Sequence, residues 1–274
     1  MNKSRIPNFY RLSIKDRVEA VFERGLISEE DYLALKHQQQ QLDLNSADKM
    51  IENVIGVMGL PIGLGLNFLI NEKEYVIPLA VEEPSIVAAL SSAAKIAREH
   101  GGFEAESTDP ILIGQIQVVG IKDLEKARSE ILSRKKEVLN LANSFHPRMV
   151  ARGGGAKDLN VKTYPLDSFD QEMLIVDLHV DTRDAMGANL VNGMCEGVAS
   201  LIETMTEGEV FLRILSNLSD KSLATASVTI PTSALNINGY DGEKVRDGII
   251  IASDFAHVDP YRASTHNKGI MNGI

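Results

Sequence analysis

Two carboxylates, Glu82 and Glu83, stand directly before Pro84-Ser85, where a strand-like run gives way to an amphipathic pattern from Ser85 to Arg98. Pro84 suits the first position of a helix, which would set the pair beside exposed backbone N–H groups. Adjacent acids at a helix start often only compensate the dipole. Alternatively, one of them is held in a cleft as a proton donor, its pKa raised by burial. The closing run gathers Arg262, His266, Asn267, Lys268 and Asn272 within eleven positions, among Met, Ile and Tyr. A solvated loop can have that composition. A helix starting near Asn267 would instead put Lys268 and Asn272 on one face, four residues apart.

A third stretch, Asp184-Ala-Met-Gly-Ala-Asn189, lies between a strand-like run and an apolar helical pattern from Leu190 to Met205. Gly187 has no Cβ, so another molecule can approach the backbone there. The free N–H groups of a first helical turn, with the dipole, attract an anion such as a pyrophosphate. An ordinary helix start capped by Asp184 is the competing reading. The spacing is not Gly-x-Gly-x-x-Gly, so it supports no Rossmann fold.

The elements that must position these groups follow from periodicity. Ser13-Ile-Lys-Asp16 and Ser28-Glu-Glu-Asp31 read as capping boxes, with Gly25 as the stop between them. The Gln38 to Gln41 run reads as a solvated helix end, and Ser46 to Val57 has helical apolar spacing. Leu66 to Ile70 and Tyr75 to Ala80 read as strands about a turn at Asn71-Glu-Lys73. Then come a strand (Ile111 to Ile121), a long charged helix (Leu124 to Ala142), two strands (Leu159 to Tyr164, Met173 to Thr182), a helix (Met186 to Met205) and a strand (Val210 to Leu215). That β-α-β-β-α-β order predicts a small ferredoxin-like domain, residues 110–217, inserted into a larger α/β domain formed by 1–109 and 218–274. Ala224 to Thr229 and Gly248 to Ser253 read as further strands, and the Gly153-Gly-Gly155 triplet as a tight or flexible loop. His179, alternating with apolar neighbours in a strand, reads as a satisfied histidine and not a ligand.

The 274 residues suffice for one large or two ordinary domains with real cores. With 44% hydrophobic and 24% charged residues the composition is globular. A formal charge of −10 argues against a nucleic-acid partner. The single cysteine, Cys195, excludes an internal disulfide framework, suits a reducing cytoplasm, and in its apolar pattern reads as an inert buried thiol. No apolar run reaches a membrane span, and the first twenty residues lack a signal-peptide core.

Four separated stretches, Glu52-Asn-Val-Ile-Gly56, Val81-Glu-Glu-Pro-Ser-Ile-Val-Ala88, Asp184 to Asn189 and His266-Asn-Lys-Gly-Ile-Met-Asn-Gly273, together resemble 3-hydroxy-3-methylglutaryl-CoA reductase of the soluble bacterial and archaeal class. The resemblance implies a large α/β domain interrupted by a small ferredoxin-like cofactor domain. It implies reduction of the acyl-CoA thioester to mevalonate and CoA by two NAD(P)H, or the reverse. Glu83 would be the proton donor and Lys268 the cation facing the oxyanion. Ser85, Asn217, Arg262 and Asn272 would hold the hydroxymethylglutaryl group, Arg262 gripping its carboxylate bidentately. Asp184, Met186, Gly187, Ala188 and Asn189 would receive the dinucleotide pyrophosphate. The family works as a dimer with shared active sites, the Glu52-to-Gly56 segment lying near the interface.

The family's catalytic aspartate and histidine would fall beyond Ile274, so this polypeptide alone is expected to be inactive or unstable, or to serve as a non-catalytic CoA- or nucleotide-binding module. A plain structural α/β protein is the third reading. NAD-using relatives place an aspartate after the long helix. The stretch Asn143-Ser-Phe-His-Pro-Arg-Met-Val150 has no carboxylate, and Ser144, His146 or Arg148 would instead meet a 2′-phosphate, which favours NADPH over NADH. No metal is expected.

Overall fold

Each of the first two helices begins at a serine whose Oγ accepts the backbone N–H three residues on, Ser13 from Asp16 at 3.2 Å and Ser28 from Asp31 at 3.1 Å. The structure, a computed structural model, describes residues 3–37, 42–237 and 239–274, so the expected helix end at Gln38 to Gln41 lies outside the described residues. The chain divides into two compact units, residues 1–105 with 226–274, and residues 106–225.

In chain order the first unit contains α1 (Ile14–Glu23), α2 (Glu29–Lys36), α3 (Leu44–Asp48), β1 (Ile62–Ile70), β2 (Lys73–Ala80) and α4 (Ile86–Arg98). β1 and β2 form an antiparallel hairpin through Asn71 and Glu72, whose φ of 49° and 64° give the backbone twist that a two-residue turn needs. The expected helix from Ser46 to Val57 is overturned: α3 stops at Asp48, and Ile51, Ile55 and Met58 are exposed. Helical spacing without a surface to bury against cannot sustain a helix this short.

β3 (Glu104–Ser107) begins the crossing into the second unit, which holds β4 (Ile111–Val119), α5 (Leu124–Ser133), α6 (Lys135–Ser144), α7 (Pro147–Ala151), β5 (Gly155–Leu166), β6 (Gln171–Asp181), α8 (Ala188–Thr206) and β7 (Glu209–Leu215). β8 (Ala224–Ser227) leads out and pairs with β3. The four-stranded sheet runs β5-β6-β4-β7 with every pair antiparallel, the ferredoxin-like arrangement. On β6, Leu174, Val176, Leu178 and Val180 are fully buried, packed in a core with residues of α5, α6 and α8. The intervening Asp177 and His179 belong to the other face, where Lys162 pairs with Asp177 at 2.7 Å and Asn160 meets the His179 ring at 3.3 Å. The long helix expected from Leu124 breaks at Arg134, whose guanidinium is held by Glu130 and Glu137 on either side of the break.

The chain ends with α9 (Gly242–Val258) and α10 (Pro260–Gly273). α9 contains the segment expected as a strand, Gly248 to Ser253. Three consecutive isoleucines favour a strand locally, but Asp241 caps the helix through the Lys244 N–H at 2.8 Å and the helix runs through them. α10 begins at Pro260 and not near Asn267, because Asp259 caps it by accepting the Arg262 N–H at 2.7 Å. Among the described residues no helix is long and apolar enough to cross a membrane.

Candidate active site

In the first unit, β2 delivers Glu83 to the entrance of α4. Pro84 is not the first helical residue as expected: α4 starts at Ile86 with Ser85 as its cap, whose φ of 76° is a left-handed conformation rarely adopted outside glycine. Its side chain makes no capping bond. Such strain persists where the surroundings impose it, often at functional positions.

Lys268 and Asn272, one turn apart on α10, both donate to the same Glu83 oxygen, Oε2, across 185 and 189 residues of sequence. These two hydrogen bonds hold the Glu83 carboxyl below its ordinary range, the lysine having the larger effect and burial opposing it. The expectation that burial raises this pKa is therefore overturned: Glu83 is only half-buried, and its partners favour the ionised form. Arg262 is half-buried on the same helix, with its backbone N–H on Asp259 and its guanidinium without an ion pair among the described residues. Asn217 falls in the other unit, exposed just past β7.

In the second unit, Gly187 caps α8 with φ 91°, three residues later than the Asp184 cap weighed above. A Cβ there would lie 2.6 Å from Thr182 Cγ2 and 3.0 Å from Leu112 Cδ1. Glycine is thus required by the chain's own packing. Asp184, Met186 and Asn189 are exposed and Ala188 half-buried at the start of a 19-residue helix, whose first N–H groups have no partner within the helix. That donor set fits a pyrophosphate. Two residues outside the expected set hold the turn. Asp181, 2% exposed, accepts the Arg183 N–H at 3.0 Å and pairs with its guanidinium at 3.2 Å, while Arg183 also donates to Gly153 O at 2.8 Å. The available sequence signal was a carboxylate ending an apolar strand two residues before an arginine.

Beside this turn, His146, Arg148 and Arg152 line a cleft of about 330 Å³ with Phe145, Met149 and Leu190. Ser144 is not equivalent to them: its hydroxyl donates to Leu141 O at 2.7 Å, so it offers no proton to a phosphate. Among the described residues no cluster of three or more His, Cys, Asp or Glu is placed to hold a metal.

The family model described as hydroxymethylglutaryl-coenzyme A reductase matches residues 13–274. The chain belongs to the hydroxymethylglutaryl-coenzyme A reductase family. It is 48% identical to the 3-hydroxy-3-methylglutaryl-coenzyme A reductase of Archaeoglobus fulgidus over 271 residues, covering 99% of this chain and 60% of that protein. It is 33% identical to a probable reductase of Borreliella burgdorferi, covering 62% of it. The chain thus spans about three fifths of the length of these curated relatives. A solved class II reductase from Streptococcus pneumoniae, bound to NADPH in open conformations, superposes with a TM-score of 0.91 at 40% identity, covering 97% of this chain and 71% of that one.

Proposed function

We propose that this chain carries the substrate- and dinucleotide-binding part of a reductase that converts 3-hydroxy-3-methylglutaryl-CoA to mevalonate and CoA with NAD(P)H, or runs the reverse reaction. The observation that carries the reading is the convergence of Lys268 and Asn272 on Glu83, which joins two motifs far apart in sequence. When bound, the nicotinamide supplies hydride. Reduction of a thioester carbonyl builds negative charge on its oxygen, and the Lys268 ammonium offsets that charge. Removing one such preorganised donor costs about 3–4 kcal/mol of barrier. With Lys268 and Asn272 donating to it, Glu83 is held in its ionised form. Negative charge growing beside it favours its protonated form and readies it as the donor to that oxygen. Ser85, Arg262 and Asn272 orient the acyl group, the Arg262 guanidinium on its carboxylate.

The unit from 106 to 225 is the dinucleotide-binding part. The Asp184-to-Asn189 turn holds the pyrophosphate, and the cleft beside it favours NADPH, the dinucleotide bound to the pneumococcal relative. Residues 1–105 with 226–274 form the acyl-CoA part. The protein works in a reducing cytoplasm as a homodimer: Ile51, just before the Glu52 to Gly56 stretch, and Ile55 within it, 65% and 103% exposed, give a second copy apolar surface to cover. Monomeric sedimentation at micromolar concentration would remove that last statement.

The test is thermal unfolding with ligand. A ligand at about a hundred times its Kd stabilises by about 2.7 kcal/mol, so hydroxymethylglutaryl-CoA and NADPH should each raise Tm. Arg262→Met should abolish the response to hydroxymethylglutaryl-CoA and keep that to NADPH. A Tm indifferent to both ligands overturns the reading.

A further inference from the structure

Three non-glycine residues of the unit from 106 to 225 have a positive φ: Asp170, Arg183 and Glu207. Two of them end an element, Asp170 between β5 and β6 and Glu207 at the C-terminus of α8, where left-handed residues are common. Arg183, with φ 50°, instead leads into a helix. It is the second residue of a tight turn closed by the Ala185 N–H on Thr182 O at 3.0 Å, a position where positive φ favours glycine, asparagine or aspartate. Strain of this kind persists only where the surroundings impose it.

What imposes it here is the side chain of Arg183 itself. Asp181, at the end of β6, accepts the Arg183 N–H on one carboxylate oxygen and pairs with the guanidinium through the other. The same guanidinium nitrogen donates to Gly153 O, just before β5, whose first residue Gly155 is the sheet partner of Asp181. Thr182 adds a third tie, its N–H on Pro110 O at 3.1 Å, just before β4. The connector from β6 to α8 is thus strapped to the ends of three strands. By charge alone the Asp181 carboxylate is misplaced, since it stands beside a turn read as receiving an anion. Its presence there is explained if it is needed to hold Arg183.

We propose that Arg183 is a positioning residue for dinucleotide binding: anchored on Asp181 and on Gly153 O, it holds the Thr182-to-Ala185 turn, and through it the first N–H groups of α8, in the conformation that receives a pyrophosphate. This rests on the dinucleotide reading of the unit. Arg183 acts through the backbone and not on the ligand, because its guanidinium is already occupied by Asp181 and Gly153. The pyrophosphate is common to NADPH and NADH, so the effect does not distinguish between them.

Calorimetric titration of the whole chain with NADPH, NADH and hydroxymethylglutaryl-CoA tests it. Glycine adopts a positive φ freely, so Arg183→Gly keeps the turn possible but removes its anchors. If the turn is then competent in about a tenth of the molecules, both dinucleotides should bind about tenfold more weakly, with hydroxymethylglutaryl-CoA within about twofold of wild type. Arg183→Lys should recover part of the loss, since an ammonium can keep one of the two anchors. Asp181→Asn tests the sign. Removing a carboxylate beside an anion should tighten binding if Arg183 is a direct ligand contact, and weaken it if the pair positions the turn. In unliganded Arg183→Gly the amides from 184 to 190 should exchange faster, while those of β6 keep their wild-type rates. Unchanged dinucleotide binding in Arg183→Gly, or unchanged or tighter binding in Asp181→Asn, would overturn the proposal and leave the dinucleotide reading intact. Equal weakening of all three ligands, or loss of protection throughout β6, would make Arg183 a merely structural residue and overturn it too. A wild-type chain that binds neither dinucleotide would overturn that reading and the positioning role with it.

Discussion

Glu83 is defined by its neighbours more than by its motif. Its position before Pro84-Ser85 marked it as a candidate acid from sequence, but the sense of its perturbation depends on an ammonium and an amide from the far end of the chain. No local pattern could supply those partners. Because its folded pKa is depressed, the pair's contribution to stability is present above the unfolded value, roughly 4.3 for glutamate, and fades as pH falls through the lower folded value. NMR titration of the Glu83 side chain should therefore give a midpoint below that of a free glutamate. In Lys268→Met the midpoint should move upward, since the larger of the two lowering interactions is gone. A midpoint unmoved by the substitution would mean that the contact is not formed in solution. Arg183 shows the opposite kind of legibility. It is conspicuous only once its left-handed φ is known, since in the sequence it is one basic residue among many.

At the scale of elements, periodicity served where one face was buried and failed where context decided. α8 and the alternating β6 were legible because their apolar residues meet a real core. α9 was not, since β-branched isoleucines suit strands and only the Asp241 cap and helical continuity override them. The break at Arg134 was equally hidden, having neither Pro nor Gly to announce it. Glycines divide the same way. Gly114 on β4 lies directly against α8: a Cβ there would fall 2.3 Å from Cys195 Sγ and 2.7 Å from Val191 Cγ1, both residues fully buried. Burial also pushes the Cys195 thiol up to about 12, so it acts as an inert packing group. Gly114→Ala should destabilise by about 1–3 kcal/mol, because neither neighbour can move aside. Gly197→Ala is expected to cost less, as the Phe145 ring it would meet is half-exposed. Combining Gly114→Ala with Cys195→Ala should be less damaging than the sum of the two, which a double-mutant cycle of urea melts would read directly.

Across the whole molecule the two units differ in what holds them. The largest fully buried side chains, including Ile116, Ile131, Leu159, Leu174, Leu178, Met194 and Ile202, all belong to residues 106–225. The other unit has a small buried cluster of Ile6, Val21 and Leu66, while Ile249, Ile250, Ile251, Phe255 and Val258 on α9 and Tyr261 and Ile270 on α10 are exposed. Hydrophobic burial is the main favourable term in folding, so protection against hydrogen exchange should follow this division. In the unliganded chain the amides of β4, β6 and α8 should exchange last, and those of α9 and α10 well before them. Exchange followed by mass spectrometry will show the order. Hydroxymethylglutaryl-CoA should then slow exchange in α10 and at the entrance of α4, where Lys268, Asn272 and Glu83 meet, because a ligand adds its binding free energy only to openings that break its site. Equal protection of α9 and α8 in the free chain would mean that a surface here counted as exposed is covered in solution, and a second copy would be the first occupant to test by dilution.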